Sequence, residues 1–202
     1  MRVRASLLAL SLAFALPAAL FVSPHSPYTG PREAAAAVSV VVSLDELVAS
    51  SSYVVVAKAA ERQSMWEDTP SGRRIVTYTR LDVERSVVGE PGTQVWVRTL
   101  GGVVGDVGQW VSGEAVLKPG ERSLLFLHKT PAAVVVTAMA QGHYPVISTE
   151  GGLPKLAPSP DAGTILPRTG PSIGAREVLV GATLSRALVA IEEVKRAPRE
   201  RK

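Results

Sequence analysis

Between Gly101 and Trp110 the chain sets three glycines three residues apart, Gly102, Gly105 and Gly108, with Asp106 among them and an indole just beyond. Such spacing raises first the chemistry of a phosphate loop, in which backbone amides hold an anion at a helix N-terminus. The Lys-Ser/Thr pair that completes that motif is missing, and no helical pattern follows. The stretch therefore reads as a mobile β-connection or bulge. An indole still offers a flat apolar face with one N–H donor, and a carboxylate offers acceptors. Trp110, Asp106, Gly102, Gly105 and Gly108 are accordingly the candidate ligand-binding residues.

The other reactive side chains do not assemble into a motif. The histidines are His25, His128 and His143. A metal site built from His128, His143 and Asp106 lacks the short ligand spacing that metal-binding pairs use. Gly-x-Ser-x-Gly, Ser-x-x-Lys and His-Glu-x-x-His are all missing, so Ser112 and Ser123 read as ordinary turn and strand serines. No catalytic residue, metal ligand or cofactor is assigned. Trp66, Trp96 and Trp110 all fall in β-type sequence, where indoles serve either as a contact platform or as core and cross-strand partners. Trp110, beside the glycines, is the best contact residue of the three.

These residues must be positioned by strands. Ile75, Thr77, Thr79, Leu81 and Val83 alternate with Val76, Tyr78, Arg80, Asp82 and Glu84, the two-residue period of a β-strand. Tyr53–Ala60 reads as a buried strand that continues towards Trp66, and the loop 67–72 turns it into the next. Glu90-Pro91-Gly92 and Lys118-Pro119-Gly120 mark turns around a strand over Val95–Leu100. Gln109–Leu117 reads as a short strand or irregular crossing, and Ser123–His128 as a central strand. Further strands are expected over Ala132–Ala140 and Tyr144–Ile147. A short helix opens the domain: Ser43 and Glu46 form a capping box, with Leu44, Leu47 and Val48 facing inward. Residues 148–174 are rich in proline and glycine and read as a linker or a long surface loop. Ala175–Arg196 predicts one amphipathic helix with Val180, Leu184, Leu188 and Ile191 on its apolar stripe. The expected fold is mainly β, a small five- to six-stranded OB-like barrel with a short N-terminal helix and a C-terminal amphipathic helix. Its domains are 1–37, signal peptide and spacer; 38–147, barrel; 148–174, linker or loop; and 175–202, helix and basic tail.

Composition narrows the setting. Arg2 and Arg4 precede an apolar run from Ala5 to Val22, and Ala34–Ala37 offers a cleavage site before Val38. The run is also near the lower length limit of a membrane span. An earlier cut near Ala18 or Ala19, or a retained anchor, stays open beside cleavage at Ala37. The Pro17 break and the alanine-rich exit favour a signal peptide, and hence a secreted or periplasmic protein. Cysteine is absent, which excludes disulfides and thiolate chemistry, so the exported domain must hold itself together by its core. The chain carries a formal charge of +4; removing 1–37 takes out Arg2, Arg4, Arg32 and Glu33 and leaves 19 basic and 17 acidic residues. Much of that remainder sits in the tail from Lys195 to Lys202, which reads as a solvated terminus. No clustered basic face points to nucleic acid, and a membrane is a partner only if the leader is retained.

Several segments carry a family resemblance. They are Leu47–Lys58, Ile75–Val83, Val87-Val88-Gly89, Val95–Gly102 and Lys118–Leu127. Together they are similar to the secreted OB-fold modules related to tissue inhibitors of metalloproteinases and netrin-type domains, in a bacterial, cysteine-poor form. The resemblance spans about residues 44 to 147 and implies the barrel. Those inhibitors chelate a protease zinc through an N-terminal cysteine, which this chain lacks, so no site residue transfers. The function expected is an exported, non-catalytic binding module that recognises a protein or glycan of the envelope or exterior through barrel loops. The alternatives are a secreted hydrolase with a histidine-containing site and a membrane-tethered structural protein of the envelope. N-terminal sequencing of the exported protein is expected to read Val38-Ser39-Val40; a retained leader would establish the tether instead.

Overall fold

In a computed structural model, which describes residues 38–69, 72–148, 151–170 and 172–197, the strands are numbered in chain order. They are β1 (Val38–Val40), β2 (Tyr53–Thr69), β3 (Gly72–Val88), β4 (Gln94–Leu100), β5 (Gly102–Val104) and β6 (Val107–Gln109). The rest are β7 (Arg122–Lys129), β8 (Val134–Val136), β9 (His143–Ile147), β10 (Lys155–Leu156) and β11 (Thr164–Leu166). The helices are α1 (Leu44–Ser50), α2 (Ala175–Leu179) and α3 (Leu184–Arg196), with a 3-10 turn over Met139–Gly142. The leader and the last five residues of the basic tail lie outside the described residues.

The fold is mainly β. Its large sheet runs β10-β9-β7-β2-β3-β4-β8, and β8 also pairs with β7. That second pairing closes a five-stranded ring, β7-β2-β3-β4-β8, in which β4 and β8 run parallel and every other contact is antiparallel. Closure removes exposed edges, as it does in other small barrels. β9 and β10 extend the sheet beyond the ring on the β7 side.

Two cores share the central strands. Val55, Ala57, Leu81, Val97, Leu125, Leu127 and Val136 point into the barrel. Val54, Val56, Leu124 and Phe126 point the other way, onto Leu44, Leu47 and Val48 of α1 and Leu184, Leu188 and Ile191 of α3. Phe126 meets Tyr144 edge-to-face at 6.1 Å between ring centres. Leu124–Leu127 within β7 is uniformly apolar because both of its faces are buried, whereas His128 beyond it is exposed. The alternation over β3 follows the same rule: Ile75, Thr77, Thr79 and Leu81 are all buried.

The entry helix forms as its sequence dictates. Ser43 Oγ accepts the Glu46 N–H at 3.2 Å, and the Glu46 carboxylate accepts the Ser43 N–H at 3.0 Å. Elsewhere tertiary contacts overrule local pattern. The single helix expected over Ala175–Arg196 is two, because the backbone between them bonds to another strand. Gly181 N–H donates to Leu156 O at 2.8 Å, and Leu156 N–H donates to Ala182 O at 3.0 Å. Gly181 takes φ +79° at that break, which glycine tolerates. The strand expected over Ala132–Ala140 stops at Val136, because Ala138 and Met139 both take positive φ and the chain enters the 3-10 turn. The described residues of 148–174, a segment expected as a linker or long loop, include two short strands and buried side chains. β10 pairs with β9, β11 pairs with β1, and Leu156 and Ser159 are buried. No helix among the described residues is long and apolar enough to cross a membrane.

Neighbouring threonines on β3 test how the interior treats hydroxyls. Thr77 Oγ1 donates to Gly101 O at 2.6 Å and meets Ser64 Oγ at 2.8 Å. Thr79 Oγ1 is the one buried side-chain polar atom without a partner among the described residues. Replacing a satisfied buried hydroxyl leaves its partners stranded, whereas replacing an unsatisfied one removes a desolvation cost. Thr79→Val is therefore expected to hold or raise stability by up to about 1 kcal/mol, and Thr77→Val to lower it by about 1–3 kcal/mol, in urea titrations. A loss in Thr79→Val as large as in Thr77→Val would refute the distinction.

Candidate functional site

The glycine-rich stretch is a hairpin, where a mobile connection or bulge was expected. β5 and β6 pair across the turn Gly105-Asp106, with Val104 opposite Val107. Gly105 takes φ +58°, suited to that turn. Gly102 is required for another reason: a Cβ there would collide with Thr77 Oγ1 and Ser64 Oγ, so the hairpin lies directly on the β2–β3 ribbon. Polar bonds pin it. Gly101 N–H donates to Ile75 O at 2.8 Å, and Ile75 N–H donates to Gln109 Oε1 at 2.7 Å. Gly102 and Gly105 thus have architectural roles, whereas a side chain at Gly108 would meet only ordinary contact with Val103. Asp106 is exposed at the turn, away from the cleft described next.

Between this hairpin, the end of β4 and the crossing to β7 lies a cleft of about 290 Å³. Trp110 borders it and is 69% exposed, the expected contact residue in an accessible place. Arg62 comes from β2, Gln109 from β6 and Glu114 from the crossing. Of the residues proposed from sequence, the cleft gathers Trp110, Gly102 and Gly108, and leaves out Asp106 and Gly105.

Sequence reasoning missed Arg62, Gln109 and, most consequentially, Glu114. Only 9% of it is exposed, and burial pushes its carboxyl up to about 7, against weaker opposing pulls from the Leu100 backbone amide and the Arg98 charge. Arg98 is largely committed elsewhere. Its guanidinium grips the Glu67 carboxylate at 2.6 and 3.2 Å, and Tyr78 donates to the same carboxylate at 3.2 Å. The backbone around Glu114 is held from several sides. Its own N–H donates to Val111 O at 3.2 Å, Ala140 N–H donates to Gly113 O at 2.9 Å, and Val116 N–H donates to Asp161 Oδ2 at 3.2 Å. A perturbed carboxyl at the wall of a cleft marks a functional candidate. In sequence it was one acidic residue in an irregular crossing, without periodicity to announce its burial.

The histidines are divided. His128 is exposed and shares a 3.0 Å hydrogen bond with Ser50 O. His143 is buried, with Nε2 3.1 Å from Ser123 Oγ and Nδ1 3.2 Å from Ser159 Oγ. Two hydroxyls satisfy a neutral imidazole, and burial, reinforced by Lys118, lowers its pKa to about 4. The adjoining void is about 10 Å³, room for no more than one water. Ser123 and His143 are thus in contact without an open cleft for a substrate. Among the described residues no group of three or more His, Asp or Glu side chains could hold a metal. Trp66 lies under the Arg73 guanidinium, 5.1 Å from its ring centre, and Trp96 is exposed on the outer face of β4. Comparison of the chain with protein-family models, with curated proteins and with solved structures finds no match.

Glu114 and His143 titrate in opposition. Glu114 holds its proton more tightly when folded than its ordinary 4.5. Its contribution to stability is complete below that value and is lost as pH rises through about 7. His143 holds its proton less tightly than its ordinary 6.5, so its contribution is present above that value and is lost as pH falls through about 4. Each shift corresponds to about 3 kcal/mol. Denaturation across pH 4 to 8 should show Glu114→Gln gaining stability as pH rises towards 6.5, and His143→Gln losing stability as pH rises towards 7. The unsubstituted protein should be flatter than either. Parallel profiles for all three proteins would show that neither group is perturbed.

Proposed function

We propose that this chain is an exported, non-catalytic binding module that captures a protein or glycan of the cell envelope or exterior through the loops at the cleft end of its barrel. The single observation that carries this reading is Trp110. An indole contributes much to stability when buried, yet this one is 69% exposed beside a cleft whose lining includes Arg62, Gln109 and Glu114. A large apolar side chain left outside both cores, next to convergent polar groups, has the composition of a contact site. Among the described residues the only hydroxyl side chain that lines the cleft, that of Thr99, donates to Thr77 O at 3.4 Å, so it is not paired with a base. The closed five-stranded ring, with helices packed on one side of its sheet, supports placing the chain beside the inhibitor- and netrin-type modules in fold.

The hydrolase alternative draws on Ser123 and His143, which are within hydrogen-bond reach. Burial of both, with no cleft around them, favours the binding reading. Affinity capture from envelope and culture-medium fractions, followed by mass spectrometry, tests that reading. Trp110→Ala is expected to reduce capture by about tenfold, equivalent to about 1.4 kcal/mol, with an unchanged melting temperature. Asp106→Ala should reduce capture less, because Asp106 sits on the same hairpin but outside the cleft. Undiminished capture by Trp110→Ala counts against the site.

A further inference from the structure

Resting on that reading, we infer that the cleft takes an uncharged sugar ring, stacked on Trp110 and hydrogen-bonded by Glu114, Gln109 and Arg62. A cleft of about 290 Å³ lies at the lower end of small-molecule sites. It accommodates one ring and its substituents, with the rest of a chain running out over the exposed indole. The flat face of Trp110 matches the flat, hydrogen-bearing face of a pyranose, which is the apolar part of an otherwise polar molecule.

Arg62 and Glu114 both line the cleft, so a charged ligand of either sign meets a like-charged side chain along with the opposite one. An uncharged polyol meets neither penalty. Each sugar hydroxyl donates and accepts, and so matches Glu114 whether that carboxyl is protonated or ionised. Burial raises the Glu114 pKa to about 7, so both forms are present near neutrality. Gln109 Oε1 is already engaged by Ile75 N–H at 2.7 Å, which orients its amide NH₂ as a donor. Arg62 supplies donors only. The hairpin carrying Gln109 is tied to β3 through Gly101, whose carbonyl accepts from Thr77 Oγ1 and whose N–H donates to Ile75 O, so Gln109 needs little further ordering to meet the ligand.

A protein partner would use the surface differently. It would cover Val103 and Val107, which are exposed on the same hairpin, together with Trp110. Val107 does not line the cleft, so it separates the two ligand classes. The test is calorimetric and fluorescence titration of the whole exported chain with four uncharged probes: chitotetraose, cellotetraose, maltotetraose and mannotetraose. Tetragalacturonate and the tetramer of glucosamine serve as anionic and cationic counterparts. At least one uncharged probe is expected to bind, and to bind about tenfold or more tighter than both charged ones. Trp110→Ala and Glu114→Leu should each weaken it by about tenfold or more, while Glu114→Gln, which still donates and accepts, should stay within about threefold. Val107→Ser should leave sugar binding unchanged. Melting temperatures of all four variants establish that each is folded. If no uncharged probe binds while envelope capture still depends on Trp110 and Val107, the ligand is a protein; the sugar assignment is then wrong and the binding-module reading stands. If capture is also independent of Trp110, both are wrong. Tighter binding of either charged probe likewise overturns the assignment.

Discussion

The antiparallel pairing of β2 with β7 holds the rest of the structure in place. It sets Val55 opposite Leu125 and Val56 opposite Leu124. The first pair faces the barrel and the second faces the helices. A shift of one residue on either strand would exchange these sets and leave both cores misfilled, so hydrophobic burial specifies the register strongly. From this seam the ring closes on one side through β3, β4 and β8. On the other side α1 and α3 seal Val54, Val56, Leu124 and Phe126. The absence of disulfides is consistent with this arrangement, since two cores built on one pair of strands bury enough apolar surface to stabilise a chain of this size.

The cleft follows from a mismatch in strand lengths. β2 and β3 each run 17 residues, whereas β4 runs 7 and pairs with β3 only over Val76–Asp82. The distal parts of β2 and β3 therefore leave the ring as a two-stranded ribbon, a unit of low stability by itself. The β5–β6 hairpin covers its inner face, and the Glu67–Arg98–Tyr78 bridge ties its outer face to β4. The space left between hairpin, ribbon and crossing is the cleft. Gln109 in its lining is held by a contact that also supports the ribbon, whereas the backbone around Glu114 is held by Val111, Ala140 and Asp161.

Two buried titratable groups illustrate how environment separates a structural role from a candidate functional one. His143 has a hydroxyl on each ring nitrogen and almost no adjoining space, so its burial is compensated within the protein. Glu114 is nearly as buried but adjoins open volume, and its strongest charge neighbour is already bound to Glu67. Its incomplete compensation leaves a carboxyl ready to bond to an incoming hydroxyl. Only the joint observation of burial and cavity distinguishes the two residues.

Local pattern accounts for much of the architecture and little of the site. The capping box at Ser43 and Glu46, the alternation over Ile75–Val83 and the doubly apolar run of β7 are short-range signals, and each led to its element. The same reasoning singled out Trp110 because an indole beside turn residues is unusual wherever it folds. Reading failed where a distant strand competes for backbone bonds. Leu156 splits α2 from α3, and two left-handed residues, Ala138 and Met139, end β8 early. Of the glycines named as ligand contacts, Gly102 and Gly108 line the cleft, and Gly102 also lets the hairpin touch Thr77 and Ser64. The chain by itself determined a mainly β barrel with an entry helix, because periodicity and capping act over a few residues. Tertiary structure alone decided that Gly101–Trp110 is a hairpin and that Glu114 stands buried beside Trp110. Burial and cavity shape are properties of segments far apart in sequence, and they exist only once the ring has closed.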